Sequence, residues 1–158
     1  MNIIAIDPGY ERIGVAIIKH DKKEKDSLVY SSCFKTSAKK VFHKRLADIG
    51  EEIERLIAKY EPKALAIEKL YFTTNQKTVM GVSEARGVIV YVASKNNLEV
   101  FEYTPPQIKV ATTGYGKADK KMVMSMVNKL IHIENKTKSD DELDAIAIGI
   151  TCLACEKF

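Results

Sequence analysis

Three stretches of this chain place an acid where a buried apolar residue is expected. Asp7 closes the run Ile3-Ile4-Ala5-Ile6, Glu68 closes Ala64-Leu65-Ala66-Ile67, and Asp144 opens Ala145-Ile146-Ala147-Ile148. Asp141 lies three residues before Asp144, and Asp140 four before it, so helical geometry lets either share the Asp144 face. Each acid has an ordinary reading when taken singly. Asp7-Pro8-Gly9 is a common turn, Asp141 suits a helix N-terminus, and Glu68 could be an exposed strand end. Gathered together, however, four carboxylates repel strongly unless cations neutralise them or their pKa values rise. An all-oxygen ligand set suits Mg²⁺, with Mn²⁺ as a substitute, rather than zinc. Two such ions about 4 Å apart can activate a water and stabilise a leaving oxygen in phosphodiester hydrolysis.

The elements that must position these acids follow from the hydrophobic pattern. Ile3 to Ile6 is continuously apolar, as a strand covered on both faces should be. Ile13 to Ile18 reads as a second strand and Ser27 to Phe34 as a third, joined by the charged loop Asp21 to Asp26. Phe42, Leu46, Ile49, Ile53, Leu56, Ile57 and Tyr60 then recur at threes and fours, an amphipathic helix ended near Pro62. A buried strand ends on Glu68, a helix runs from about Lys77 to Ser94, and Glu99 to Glu102 forms a fifth strand. Pro105 and Pro106 suit the first turn of a short helix. Another helix spans roughly Ala118 to Ile131, and a last one begins at Ser139, with Glu142 three residues on as its capping-box partner. Three antiparallel strands followed by strands alternating with helices predict one α/β domain over residues 1–158. Its five-stranded mixed sheet, three antiparallel strands then two parallel, is flanked by helices. Strand-end acids then share one sheet edge, where α/β sites gather.

Composition narrows the class. Apolar residues at 46% suit a globular protein, and no run approaches the ~20 apolar residues of a membrane span. The chain opens directly on a strand without a leader pattern, so an intracellular, cytoplasmic protein is expected. Cys33, Cys152 and Cys155 are an odd set, against a disulfide framework. Cys152-x-x-Cys155 lacks the second pair that tetrahedral zinc needs and is expected to be two small buried residues. Net charge is only +4, but between Thr104 and Lys138 seven lysines face only Asp119 and Glu134. A basic field beside an acidic site suits a polyanionic substrate, with Lys117 and Lys121 as further DNA contacts.

Taken with their order and spacing, Ile4-Ala-Ile-Asp7-Pro-Gly, Ala66-Ile-Glu68, Glu84-Ala-Arg-Gly87 and Asp141-Glu-Leu-Asp144-Ala-Ile-Ala-Ile resemble successive motifs of the RuvC crossover junction endodeoxyribonuclease family. The resemblance runs from Ile3 to about Thr151. It implies a ribonuclease-H-like fold, a homodimer, and Mg²⁺-dependent resolution of four-way (Holliday) DNA junctions by paired nicks, in recombination and repair. It also implies association with the branch-migration proteins RuvA and RuvB. Asp7, Glu68, Asp141 and Asp144 match the family's four acidic catalytic and metal-binding positions, which favours Asp141 over Asp140. Two metal ions per site are implied. Lys109 and Lys120 match basic positions that contact DNA near the scissile phosphate, and Tyr71 matches an aromatic that engages the junction, a task Phe72 could share. His20, His43 and His132 match no catalytic position. A rival reading is a YqgF-type ribonuclease-H-like nuclease acting on RNA, whose opening Arg12-Ile-Gly-Val-Ala16 resembles, but the later motifs fit it less well. Sugar kinases and actin-like ATPases share an early Asp-x-Gly turn, yet need two such domains, for which this chain is too short.

Overall fold

The computed structural model describes residues 1–70, 76–133 and 139–158. Strands β1 (Asn2–Asp7), β2 (Arg12–Lys19) and β3 (Ser27–Lys35) pair antiparallel in succession, and β4 (Ala64–Glu68) and β5 (Glu99–Tyr103) extend the sheet parallel to β1. The order across the sheet is β3-β2-β1-β4-β5; the five strands and their mixed directions are as the sequence pattern predicts, and the order is set by the pairing of β4 with β1. Helix α1 (Phe42–Tyr60) follows β3 and α2 (Gln76–Lys95) follows β4, while α3 (Pro105–Thr113), α4 (Lys120–Leu130) and α5 (Asp140–Cys155) close the chain. Helix α4 starts two residues later than its periodicity suggests, because the Asp119 carboxylate accepts from the Met122 N–H at 2.8 Å and caps it. No described helix is long and apolar enough to cross a membrane.

Strand parity divides the core into two layers. Ile4, Ile6, Val15, Ile17, Leu65 and Ile67 point to the face covered by α1 and α2. Ile3, Ala5, Ala16, Ile18, Ala64 and Ala66 point to the other face, where α5 lies with α3 and α4 around it. Because the side-chain period of a strand is two, Asp7 continues the Ile3–Ala5 face and Glu68 the Ala64–Ala66 face. Both acids therefore face the α5 layer. Helix α5 is buried from Ala145 to Cys152, since the sheet covers one side and α3 and α4 another. Cys152 is buried as expected, but Cys155 is exposed: the helix ends there, beyond the sheet's cover.

Close approach of α5 depends on small residues. A Cβ on Gly14 of β2 would meet the Asp141 backbone oxygen at 2.0 Å, and one on Gly149 of α5 would meet the Ile18 side chain at 2.4 Å and Ala5 at 3.1 Å. The two obstacles differ in kind. The end of Ile18 can rotate away, whereas a backbone carbonyl at a helix start cannot move without the helix. Gly14→Ala is expected to lower stability by about 1–3 kcal/mol, read as a drop in urea midpoint at unchanged slope. Gly149→Ala should cost less, because alanine recovers ~1 kcal/mol of helix propensity. Equal midpoints for Gly14→Ala and the parent protein would remove Gly14 as the spacing element.

Candidate active site

Asp7 and Glu68 end neighbouring parallel strands, and Asp144 sits one turn into α5, whose first turn is fixed by Ser139 accepting from the Glu142 N–H. The three acids line one cleft of about 310 Å³ together with Lys109 of α3 and Lys120 of α4; Ile108, Val123 and Ala147 form its apolar wall. Helix α3 is brought there by Thr104, which with Gln107 forms a capping box ahead of Pro105 and Pro106. Lys120 Nζ donates to Asp144 Oδ2 at 3.0 Å and lies 3.4 Å from Asp140 Oδ2. Asp140 itself is largely exposed.

Asp141 is placed differently from the other three. Its Oδ2 accepts from Arg12 Nε at 3.1 Å, pairs closely with the second Arg12 nitrogen, and receives the Cys33 thiol at 3.4 Å. The carboxylate thus sits over β2 and β3, beside the cleft rather than lining it. It remains near enough for its charge to act on Asp7. Arg12 stands on the same side of β2 as Gly14, which explains how it reaches α5. Sequence reasoning did not single it out, and only its parity with Gly14 could have signalled it.

The electrostatics match crowded like charges. Burial, then the charges of Glu68, Asp144 and Asp141, push the Asp7 carboxyl up to about 7, against a smaller opposing pull from Lys120. Glu68 is also raised, by burial first and Asp144 second. Asp141 is held below the usual carboxylate range by its hydrogen bond from Arg12. Lys120, although partial burial opposes its charge, is held above the ordinary lysine value by Asp144 and Asp140. Carboxylates that ionise reluctantly for want of counter-charge, with only oxygen donors among them, fit a hard divalent cation. Among the described residues no three acidic, histidine or cysteine side chains close into a preformed cage. The cleft instead offers three separated carboxylates that a cation could draw together.

Of the remaining sequence-derived positions, Lys117 is exposed on the loop before α4. Lys121 faces another groove, with Thr113, Met122 and Met126. Tyr71 and Phe72 lie outside the described residues. His43 and His132 are exposed, and His20 is partly buried with Nδ1 2.8 Å from Asp26.

A mixed sheet of this order, with acids from its two central strands meeting a closing helix at one edge, belongs to the ribonuclease-H-like class of nucleases. Comparison with known proteins narrows the class. The sequence model for the crossover junction endodeoxyribonuclease RuvC matches residues 3–152, so the chain belongs to the RuvC family. The crossover junction endodeoxyribonuclease RuvC of Alkaliphilus metalliredigens is 42% identical over 150 residues, covering 95% of this chain and 91% of that one. Its counterpart from Thermosipho melanesiensis is 42% identical over 156 residues, covering 99% and 98%. Thermus thermophilus RuvC, solved in complex with a Holliday junction substrate, superposes with a TM-score of 0.90 at 26% identity, covering 97% of this chain and 93% of that one.

The raised Asp7 pKa has a consequence for stability. A carboxyl at about 7 in the fold and ~3.9 when unfolded binds more protons in the native state between those values. Stability of the metal-free protein should therefore fall as pH rises from ~4 through 7, by on the order of a few kcal/mol. Asp7→Asn stays neutral throughout and should melt higher than the parent at pH 8.5 in a chelating buffer, with the gap closing at pH 4. Parallel melting curves across that range would show that Asp7 is not held under repulsion.

Proposed function

We propose that this protein resolves four-way DNA junctions by paired phosphodiester hydrolysis, using Asp7, Glu68, Asp141 and Asp144 to hold two divalent ions, Mg²⁺ by preference. The observation that carries this reading is the convergence of Asp7, Glu68 and Asp144 with Lys109 and Lys120 in one cleft. It is supported by membership of a family whose Thermus thermophilus member was solved with a Holliday junction substrate. Held by these carboxylates, such ions would supply an activated water and charge neutralisation at the leaving oxygen. The chain's own residues do the rest. Lys109 and Lys120 hold the phosphate, and Lys120, which donates to Asp144 in this structure, offsets charge developing in the transition state. The walls formed by Ile108, Val123 and Ala147 exclude bulk water from one side. Tyr71 and Phe72 remain the proposed junction-engaging aromatics, while Lys117 and Lys121 extend the basic surface beyond the cleft.

Paired nicks need two sites, and α2 offers the surface for a homodimer. Met80, Gly87 and Tyr91 fall at spacings of seven and four along its outer face, with Met80 64% and Tyr91 65% exposed. Among the described residues nothing lies within 4 Å of a Cβ placed on Gly87, so a second helix could approach closely there. A twofold axis through this face would pair the two clefts with the two symmetry-related strands of a junction.

The decisive experiment offers the protein a synthetic four-way junction, a matched duplex and an RNA duplex, with Mg²⁺ and with chelator, and maps every cut. Symmetric Mg²⁺-dependent nicks leaving 5′-phosphates are expected on the junction. Cleavage of RNA with an intact junction would favour an RNA-directed nuclease. Asp7→Asn should keep junction binding and lose cleavage by a factor of at least ~10³. Junction affinity should weaken steeply with salt, as phosphate contacts require. The double variant Met80→Glu, Tyr91→Glu should sediment as a monomer. If it remains a dimer, the α2 face is not the contact.

A further inference from the structure

The run Glu84-Ala85-Arg86-Gly87 has no part in the chemistry above, yet Arg86 touches the site from behind. Its side chain is only 18% exposed. Burial holds its pKa below the usual arginine value, so its charge is kept where it is costly. Two acceptors answer it. Arg86 Nε donates to the backbone oxygen of Glu68 at 3.2 Å, and another guanidinium nitrogen pairs with the Glu102 carboxylate. Glu102 belongs to the face of β5 that carries Val100, packed on the α2 side, and opposite to the face of Phe101. Arg86 therefore approaches the sheet from the side away from the cleft.

The bond to Glu68 has a particular effect. The carbonyl of Glu68 and the N–H of Lys69 belong to one peptide unit. The Lys69 N–H donates to the Tyr103 oxygen at 2.8 Å, while the carbonyl accepts from Arg86. The unit is planar, so anchoring both its edges fixes the ψ angle of Glu68. The preceding peptide is set by the β4–β5 ladder, in which Ile67 pairs with Glu102 and Glu68 with Tyr103. The direction in which the Glu68 side chain leaves the backbone is then determined. Without Arg86, the Lys69 bond is the one hydrogen bond among the described residues that holds this peptide as the chain leaves the sheet.

We propose that Arg86 is a positioning residue for Glu68, fixing the last peptide of β4 so that the carboxylate enters the cleft at a constant angle. This rests on the reading of the cleft as a divalent-metal site. Removing a group that orients a ligand typically weakens metal binding 10–100-fold. The test is titration calorimetry of Mn²⁺ into the DNA-free protein, with junction affinity measured in chelator alongside. Arg86→Gln should bind Mn²⁺ about tenfold more weakly and bind the junction within twofold of the parent. Arg86→Lys, which can make one contact but not both, should fall between. Arg86→Gln and Arg86→Lys both matching the parent for Mn²⁺ would overturn the proposal. Should Arg86→Gln fail to fold, Glu102→Gln unhooks the other arm of the guanidinium and should weaken Mn²⁺ binding roughly threefold; parent-like affinity there overturns it equally. If the parent itself takes up no Mn²⁺, the metal-site reading falls and this one with it. A parent that binds Mn²⁺ beside an unaffected Arg86→Gln removes only the role of Arg86.

Discussion

Close contact between α5 and the first two strands governs how the acids of the cleft come together. Ala5, Ala16, Ala64 and Ala66 on the sheet, with Gly14 and Gly149, leave room for the helix axis to lie near the strands. Larger side chains would lift α5 and withdraw Asp144 from Asp7 and Glu68. The opposite face of the same strands carries Ile4, Ile6, Val15, Ile17 and Leu65, because α1 and α2 pack there through bulkier side chains. One sheet thus has a thin face for chemistry and a thick face for stability. The division is written residue by residue into strand parity.

That proximity sets up an electrostatic conflict which the surrounding cations only partly relieve. Lys120 answers Asp144, and Arg12 answers Asp141, but among the described residues Asp7 has no comparable partner, and burial together with its acidic neighbours raises it to about 7. Stability is surrendered locally where a divalent ion would be welcomed, the usual relation between a functional site and its fold. The nearby lysines come from α3 and α4, packed together beside α5. The basic and acidic halves of the cleft are therefore built by the same layer.

Much of this was legible in the sequence. The five strands, the helices and the placing of Asp7 and Glu68 at strand ends follow from period-two and period-3.6 patterns, which are local; the strand order does not. Asp144 was legible because an acid opening an apolar helix has few uses. What escaped depends on register between distant segments. Arg12 reaches Asp141 across 129 residues of sequence only because β2 pairs with β1 at Asp7–Gly14. Arg86 has a polar role visible only once α2 lies over the end of β4. Cys155 looked like the twin of Cys152, three residues earlier on the same helix, but the helix outruns its cover. Patterns report which face a residue takes; they do not report where a neighbouring element stops.

The two-faced sheet also works as a partition between separate tasks. Residues on the α1–α2 side can change without entering the cleft, since the sheet stands between. Conversely, the cleft can be retuned without disturbing the packing of α1 and α2. Arg86 is an exception to that insulation among the described residues, because its contact passes through the backbone of the sheet itself. A fold organised this way lets the packing of one face and the acids of the other drift independently, with one guanidinium marking a place where they must change together.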